Sequence, residues 1–202
     1  MPRVGLTPEL VVAEAARLVD EEGWEALSLA AVAKRFGVAV PSLYKHVEGL
    51  PGLRSRIALL AANEIGEAVQ RAAVGRSGAD ALRSCADAYR AYAHAHPGRY
   101  AALQGLPRVV AATEVKLDTD PVAVLAAVLR GFGIDEDRSV HAIRALRSAL
   151  HGFVDLEVQG GFGLPEDVDE SFALLVEGFV RAYRDWPGGA GDGGGTRGEG
   201  TD

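Results

Sequence analysis

LSLAAVAKRFGVAVPSLYKHV, residues 27–47 of a 202-residue chain, decides how the rest is read. Ala30, Val32, Ala33 and Phe36 mark its first half as a short helix with a buried side, and Lys34 and Arg35 lie off that side. Ser28 is placed to cap this helix. Gly37 follows Phe36 where a left-handed helix-ending residue costs least. Pro41 suits the first turn of a second helix, because its missing N–H has no partner there anyway. Two helices joined by a turn of three or four residues is the helix-turn-helix plan, in which the second helix enters the DNA major groove.

The second helix carries Ser42, Tyr44, Lys45 and His46, while Leu43 and Val47 are spaced i, i+4 for a core. The four polar side chains are free to reach phosphates or base edges. The run VAVPSLYKHV after the Gly37 turn resembles the recognition segment of the tetracycline-repressor (TetR) family, whose signature is a small residue, then Leu-Tyr-x-His and an apolar residue. The match runs from about Thr7 to Arg56; the remainder is similar in being helical and of like length. The resemblance implies that Ser28 adds a phosphate contact to its capping role. Tyr44 and His46 would bond phosphates, and Ser42, Lys45, Val40 and Pro41 would meet base edges or a thymine methyl. One departure stands out. The family usually places a Lys shortly after the His, whereas this chain has Glu48-Gly49-Leu50-Pro51, leaving Arg54 or Arg56 to replace that contact.

The net charge of −7 argues against a general nucleic-acid coat. Locally the balance reverses. From Lys34 to Arg56 there are five cations (Lys34, Arg35, Lys45, Arg54, Arg56) against Glu48, five minus one, so +4. An acidic body with one basic face suits docking to DNA at a single surface. The single cysteine, Cys85, excludes an internal disulfide and fits a reducing compartment. No signal peptide and no apolar run of membrane-spanning length is visible, so the expectation is a cytoplasmic protein with no membrane partner.

Helix-forming residues dominate and no stretch alternates with period two, so the expected class is all-α. Thr7-Pro8-Glu9 is a cap, first-turn and dipole-matching set for a helix whose buried stripe is Val11, Val12, Ala15, Leu18 and Val19. Gly23 ends it, and Trp24 and Leu27 close the small core. Pro51 is expected to start a helix running to about Ala73. The expected domains are a helix-turn-helix head over 1–50, a helical ligand-binding and dimerisation body over 51–186, and a disordered Gly-rich tail over 187–202. Within the body, helices are read around Leu82 to Ala93, from Pro97 through Leu103, over Val109 to Leu117, from Pro121 to Phe132, over Glu136 to Val158, and from Phe172 to Tyr183.

The resemblance implies that the last two helices meet a twofold copy, with Phe153, Phe172, Leu175 and Phe179 as interface candidates. The alternative is that Phe172, Leu175 and Phe179 only fill the core of a single chain. A homodimer has its own logic, since two recognition helices read half-sites about one helical turn (~34–36 Å) apart. The pair His151-Gly152 is also similar to a His-Gly motif in one subgroup of the family. An effector cavity is implied too, with Tyr89, Tyr92, Tyr100, Leu103, Phe132, Arg147 and His151 as candidates. Arg147, read onto the apolar stripe of Ile143, Leu150 and Val154, would need either an anionic ligand or a partner such as Asp155, Glu157 or Glu114. His94 and His96 diverge on a helix and no third ligand is obvious, so no metal and no cofactor are expected. The composite expectation is a ligand-responsive repressor bound to double-stranded operator DNA. An activator would use the same head. An enzyme is disfavoured, because no nucleophile–base–acid set or phosphate loop is present.

Overall fold

The computed structural model describes residues 5–103 and 117–186. Among these, every regular element is helical: α1 (Pro8–Glu22), α2 (Leu29–Phe36), α3 (Gly49–Ala73), α4 (Gly78–Ala95), α5 (Pro97–Ala102), α6 (Pro121–Arg130), α7 (Glu136–Val158) and α8 (Val168–Arg184), with 3-10 segments at Trp24–Ala26 and Val40–Lys45. Of the helix expected over Val109 to Leu117 only Leu117 is described, and the expected tail lies outside the described residues. No described helix is long and apolar enough to cross a membrane.

By compactness the chain divides into two units, Met1–Arg71 with Asp87–Pro121, and Ala72–Ala86 with Val122–Asp202. In the first, α1 starts at Thr7, whose hydroxyl accepts from the Leu10 N–H at 3.3 Å. Val11, Ala15, Leu18 and Val19 of α1 join Val32 and Ala33 of α2, Leu43, and Leu53 and Ile57 of α3 in one buried cluster. The same unit also ties charged groups together. Glu64 of α3 accepts from the Tyr92 hydroxyl at 2.8 Å and from Arg99 Nη1 at 3.0 Å. Asp20 of α1 accepts from the Arg99 backbone N–H at 2.9 Å. The Arg99 Nε lies 2.9 Å from Asp20 Oδ2 but is not aligned for a hydrogen bond, so that contact is purely ionic. Beside it, Gly98 lets α5 lie on the end of α1, because a Cβ there would stand 2.1 Å from the Val19 carbonyl oxygen.

In the second unit the buried stripe of α7 is Ala142, Ile143, Leu146, Leu150 and Val154. It packs with Phe172, Val176, Val180 and Tyr183 of α8. The Tyr183 hydroxyl donates to the Ala142 carbonyl at 2.7 Å, and burial pushes its pKa upward. Arg83 pairs with Glu177, with Nη2 to Oε2 at 3.1 Å, and with Asp80.

Three expectations change. The segment after the Gly37 turn is a six-residue 3-10 helix rather than a regular α-helix. Its tighter turn shows in Ser42 N–H to Ala39 O at 2.9 Å and His46 N–H to Leu43 O at 2.8 Å. The following helix begins at Gly49, two residues before Pro51. Arg147 is exposed, so the premise that its charge must be compensated inside the protein does not hold. The buried stripe is centred on Leu146, which leaves Arg147 one position, about 100°, off the centre.

Candidate nucleic-acid interface

The geometry of the head follows from its punctuation. Ser28 Oγ accepts the Ala31 N–H at 3.1 Å and starts α2. Gly37 ends it in the left-handed region, φ 65°, with Val38 N–H returning to Ala33 O at 3.0 Å. Two anchors then fix the next turn: Leu43 is fully buried and Val47 nearly so. What lies between them is pushed outward. Tyr44 is 60% exposed, Lys45 and Pro41 are exposed, and Val40, Ser42 and His46 are half-buried. The seven candidate DNA-contacting residues therefore fall on α2's cap and on one short turn, and that turn carries a phenol, an ammonium, an imidazole and a hydroxyl.

The cations of the head are not equivalent. Arg35 reaches Glu14 at 3.3 Å, Glu21 at 2.7 Å and Glu22 at 2.5 Å, and these carboxylates, Glu22 and Glu21 foremost, hold its pKa upward. It braces α2 against α1, and its charge is matched by its own domain; the basic face is weaker than the sequence count. Glu9 is held below the ordinary carboxylate range by the backbone N–H at the helix start and by the Thr7 hydroxyl, with Arg56 and His46 adding to the effect. Arg54 is exposed, its guanidinium carbon 5.7 Å from the centroid of the Trp24 ring. Leu50 packs against the head core. Sequence reading had no access to these pairings, because Arg35 and Trp24 meet partners 13 to 30 positions away.

The effector candidates fall into two groups. In the first unit, the Tyr89 and Tyr100 hydroxyls are 3.1 Å apart with their rings edge to face, and Tyr92 is committed to Glu64. Burial first, and the neighbouring Glu64 second, push the Tyr92 phenol upward. Leu103 is half-buried in the same unit. In the second unit, Phe132 meets Tyr183 edge to face at 5.8 Å, His151 is half-buried and Arg147 is exposed. Asp155, a partner considered for Arg147, accepts from Gln159 Nε2 at 2.7 Å. Among the described residues no group of three His, Cys, Asp or Glu side chains is placed to hold a metal.

Of the interface candidates, Phe172 is 2% exposed and packs on Phe153 at 5.3 Å, the position of a side chain enclosed by its own chain. Phe153, Leu175 and Phe179 are half-buried. A different set looks outward. On α7, Ala145, Ser148, Gly152 and Leu156 are exposed and fall within about 80° of one another; on α8, Ser171, Leu174, Gly178 and Ala182 repeat the same i, i+3, i+7, i+11 spacing and so the same arc of about 80°. None of these eight carries a charge, while Arg138 and His141 continue the α7 arc toward the start of the helix. A Cβ added at Gly152 or Gly178 meets nothing within 4 Å, so the fold of the single chain does not require glycine there. Around the α7–α8 connection, Phe153, Phe162, Leu164 and Val168 line a cleft of about 360 Å³.

Comparison with known proteins bears on both units. Residues 11–46 match the model of bacterial regulatory proteins of the tetR family, and residues 82–179 that of the tetracyclin repressor-like C-terminal domain. A helix-turn-helix transcriptional regulator of Mycobacterium tuberculosis, Rv0681, is 38% identical over 165 residues, 81% of this chain and 74% of that protein. Among solved structures, BioQ with its natural double-stranded DNA operator has a TM-score of 0.62 at 19% identity, covering 87% of this chain and 99% of BioQ. The TetR family protein ActR of Streptomyces coelicolor, in complex with (S)-DNPA, has a TM-score of 0.64 at 18% identity over 89% of this chain and 98% of ActR. At these identities the structural likenesses speak for the fold.

Proposed function

The chain belongs to the TetR family of bacterial transcriptional regulators, and from that premise we propose that it is a ligand-responsive repressor, a homodimer that binds a palindromic operator. The observation that carries the DNA reading is the exposed Tyr44, held out on a turn whose neighbours Leu43 and Val47 are buried. In this reading Tyr44, His46 and the Ser28 hydroxyl contact phosphates and fix register. Ser42 and Lys45 meet base edges, and Val40 and Pro41 offer apolar contact to a thymine methyl. The head is residues 1–50, the body residues 51–186.

The dimer reading is supported by the outward stripes of α7 from Ala145 to Leu156 and of α8 from Ser171 to Ala182, which carry no charge and where glycines leave room for a partner's backbone to approach. Two copies about a twofold axis then present two heads to two half-sites. Induction follows if an effector binds the DNA-incompatible spacing of the heads more tightly than the compatible one. ActR, solved with a small molecule, supports an effector of that kind. Tyr89, Tyr100, Leu103, Phe132 and His151 remain candidates to meet it, Tyr92 and Arg147 weaker ones.

Selection of the purified protein on random duplex DNA, followed by titrations at fixed salt, tests the proposal. An enriched palindrome bound by wild type and lost in Tyr44→Ala is the expected result. Retained affinity of Tyr44→Ala at ~0.15 M salt would remove Tyr44 from the interface.

A further inference from the structure

The outward stripes of α7 and α8 repeat one another in spacing, and the charges beside them repeat with the sign reversed. On α7, Arg144 stands eight residues before Gly152 and Asp155 three after; on α8, Glu170 stands eight before Gly178 and Arg181 three after. At about 100° per residue, each of the four lies about 60–80° to the same side of its glycine, at the edge of the stripe. Arg144, Glu170 and Arg181 are exposed and Asp155 is half-buried.

The two helices keep one register. Phe153 packs on Phe172 at 5.3 Å, and the Tyr183 hydroxyl reaches the Ala142 carbonyl at 2.7 Å. From the first contact to the second, α7 goes back eleven residues while α8 goes forward eleven. Arg144 is therefore level with Arg181, and Asp155 with Glu170, so the stripe edges are cationic at one end of the pair and anionic at the other. The sequence balance has the same sense. Residues 148–173, the connected end, hold six carboxylates and no Lys or Arg, so −6; residues 136–147 with 174–185 hold five arginines against four carboxylates, so +1. Of those four, Glu177 is already taken by Arg83.

A face that packs on its own copy is turned over by a twofold axis lying in that face, either along the helices or across them. Along them, connected end meets connected end and carboxylates oppose carboxylates. Across them, each end meets its opposite, and charge complementarity selects this arrangement. An axis midway between Arg144 and Asp155 crosses α7 between residues 149 and 150. In the register above the same line crosses α8 between residues 175 and 176, midway between Glu170 and Arg181. We propose that this face is covered by a second copy of the chain turned about that transverse axis, with Arg144 facing the partner's Asp155 and Glu170 facing the partner's Arg181. This rests on the dimer reading above and deepens it by fixing which residues meet. Ser148, Gly152, Leu174 and Gly178 lie astride the axis as the dry centre, and the four charges form its rim.

Eleven residues of helix separate Arg144 from Asp155 by about 16 Å, too far for a pair within one chain, so a charge swap made in one chain reads contact between chains. The experiment is sedimentation equilibrium of the full chain at low and high salt. Arg144→Glu and Asp155→Arg are each expected to raise the dimer Kd roughly 10–30-fold at low salt, since each disrupts two symmetric pairs. The double variant should return to within about threefold of wild type, because the two changes couple. At ~1 M salt the single-variant losses should shrink. Glu170→Arg with Arg181→Glu is an independent swap on α8, and circular dichroism checks that every variant is folded. Leu174→Cys should form a disulfide with its own copy on mild oxidation, because the transverse axis leaves the two about 4.5 Å apart along the helices. The native Cys85 is buried and does not compete. A single variant that dimerises more tightly, a double variant no better than its singles, or a dimer in which Leu174→Cys does not cross-link overturns the transverse axis and leaves the dimer reading standing. A wild type that stays monomeric at high micromolar concentration overturns both.

Discussion

Around the 40–47 turn the outward side chains include Ser42, Tyr44, Lys45 and His46, each with a group that bonds to water, phosphate or a base edge. Along α7 and α8 the outward stripes are mostly Ala145, Gly152, Leu156, Leu174, Gly178 and Ala182, whose side chains carry no hydrogen-bonding group; of the two serines among them, Ser148 and Ser171, the latter donates to the Asp167 carbonyl of its own chain. Both surfaces belong to helices with a well-filled inner side, so the difference does not come from folding. A surface that keeps its polar groups is suited to a hydrated, charged partner. A surface that sheds them while keeping its residues small is suited to a dry, close one.

The strongest way to break that contrast is to put a charge on the dry side. Gly178→Glu is expected to leave the single chain folded, since a Cβ there meets open space, and to yield monomers in sedimentation at micromolar concentration. Operator affinity should fall by ~10²-fold or more, because the second head is no longer tethered to the first. A dimer that survives Gly178→Glu would place the subunit interface elsewhere.

Next in size is a pair of glycine substitutions of opposite sign. Gly98→Ala sets a methyl 2.1 Å from the Val19 carbonyl and should cost about 3 kcal/mol in urea unfolding. Gly152→Ala meets no atom and lies inside α7, so it should raise the stability of the isolated chain by up to ~1 kcal/mol. If it lowers that stability, the outward stripe is not free in the single chain.

Arg35→Met sharpens the comparison within the head. It should lower the thermal midpoint and leave the salt slope of DNA binding unchanged, because its three carboxylate partners are on α1. A reduced slope would return Arg35 to the DNA face.

The smallest effect concerns Cys85, buried in α4, whose thiol is pushed up to about 11 by burial. In the folded state the thiolate forms later than in the unfolded chain. Alkylation of native protein at pH 8 should therefore be slower than that of urea-unfolded protein by roughly 10²-fold, read by mass spectrometry. The sign for stability follows: the contribution from the protonated thiol is intact below pH 9 and is lost as pH rises from 9 toward 11.

The head was legible because its instructions are local. Thr7, Ser28, Gly37 and Pro41 each act on neighbours within a few residues, and the structure uses the first three as cap, cap and left-handed stop. Pro41 sits in the first turn of the next segment, but there the pattern could not tell a 3-10 turn from an α-turn, since both place Leu43 inward. Charges were harder. Lys34 and Arg35 are adjacent in sequence, yet one stays exposed while the other meets three carboxylates from α1, information that exists only once the helices are packed. In the body, reading Arg147 with Ile143, Leu150 and Val154 was an error of one helical position, within the width of an apolar stripe. The outward stripes were invisible for another reason: alanine, serine and glycine give hydropathy too little contrast to register, whereas Phe153, Phe172 and Phe179 draw the eye to the inner side.

The seat of Gly98 on the Val19 carbonyl bears on how such a protein can be rebuilt. A head defined by sequence as the first 50 residues looks like a cassette that could be exchanged for a relative's to redirect it to another operator. In this chain the last turn of α1 is shaped to a backbone with no side chain at 98, and Asp20 is matched to Arg99. A transplanted head would arrive with its own version of that seat. The workable unit of exchange is residues 1–50 together with 96–102, two pieces separated by more than forty residues of chain that have to be moved as one.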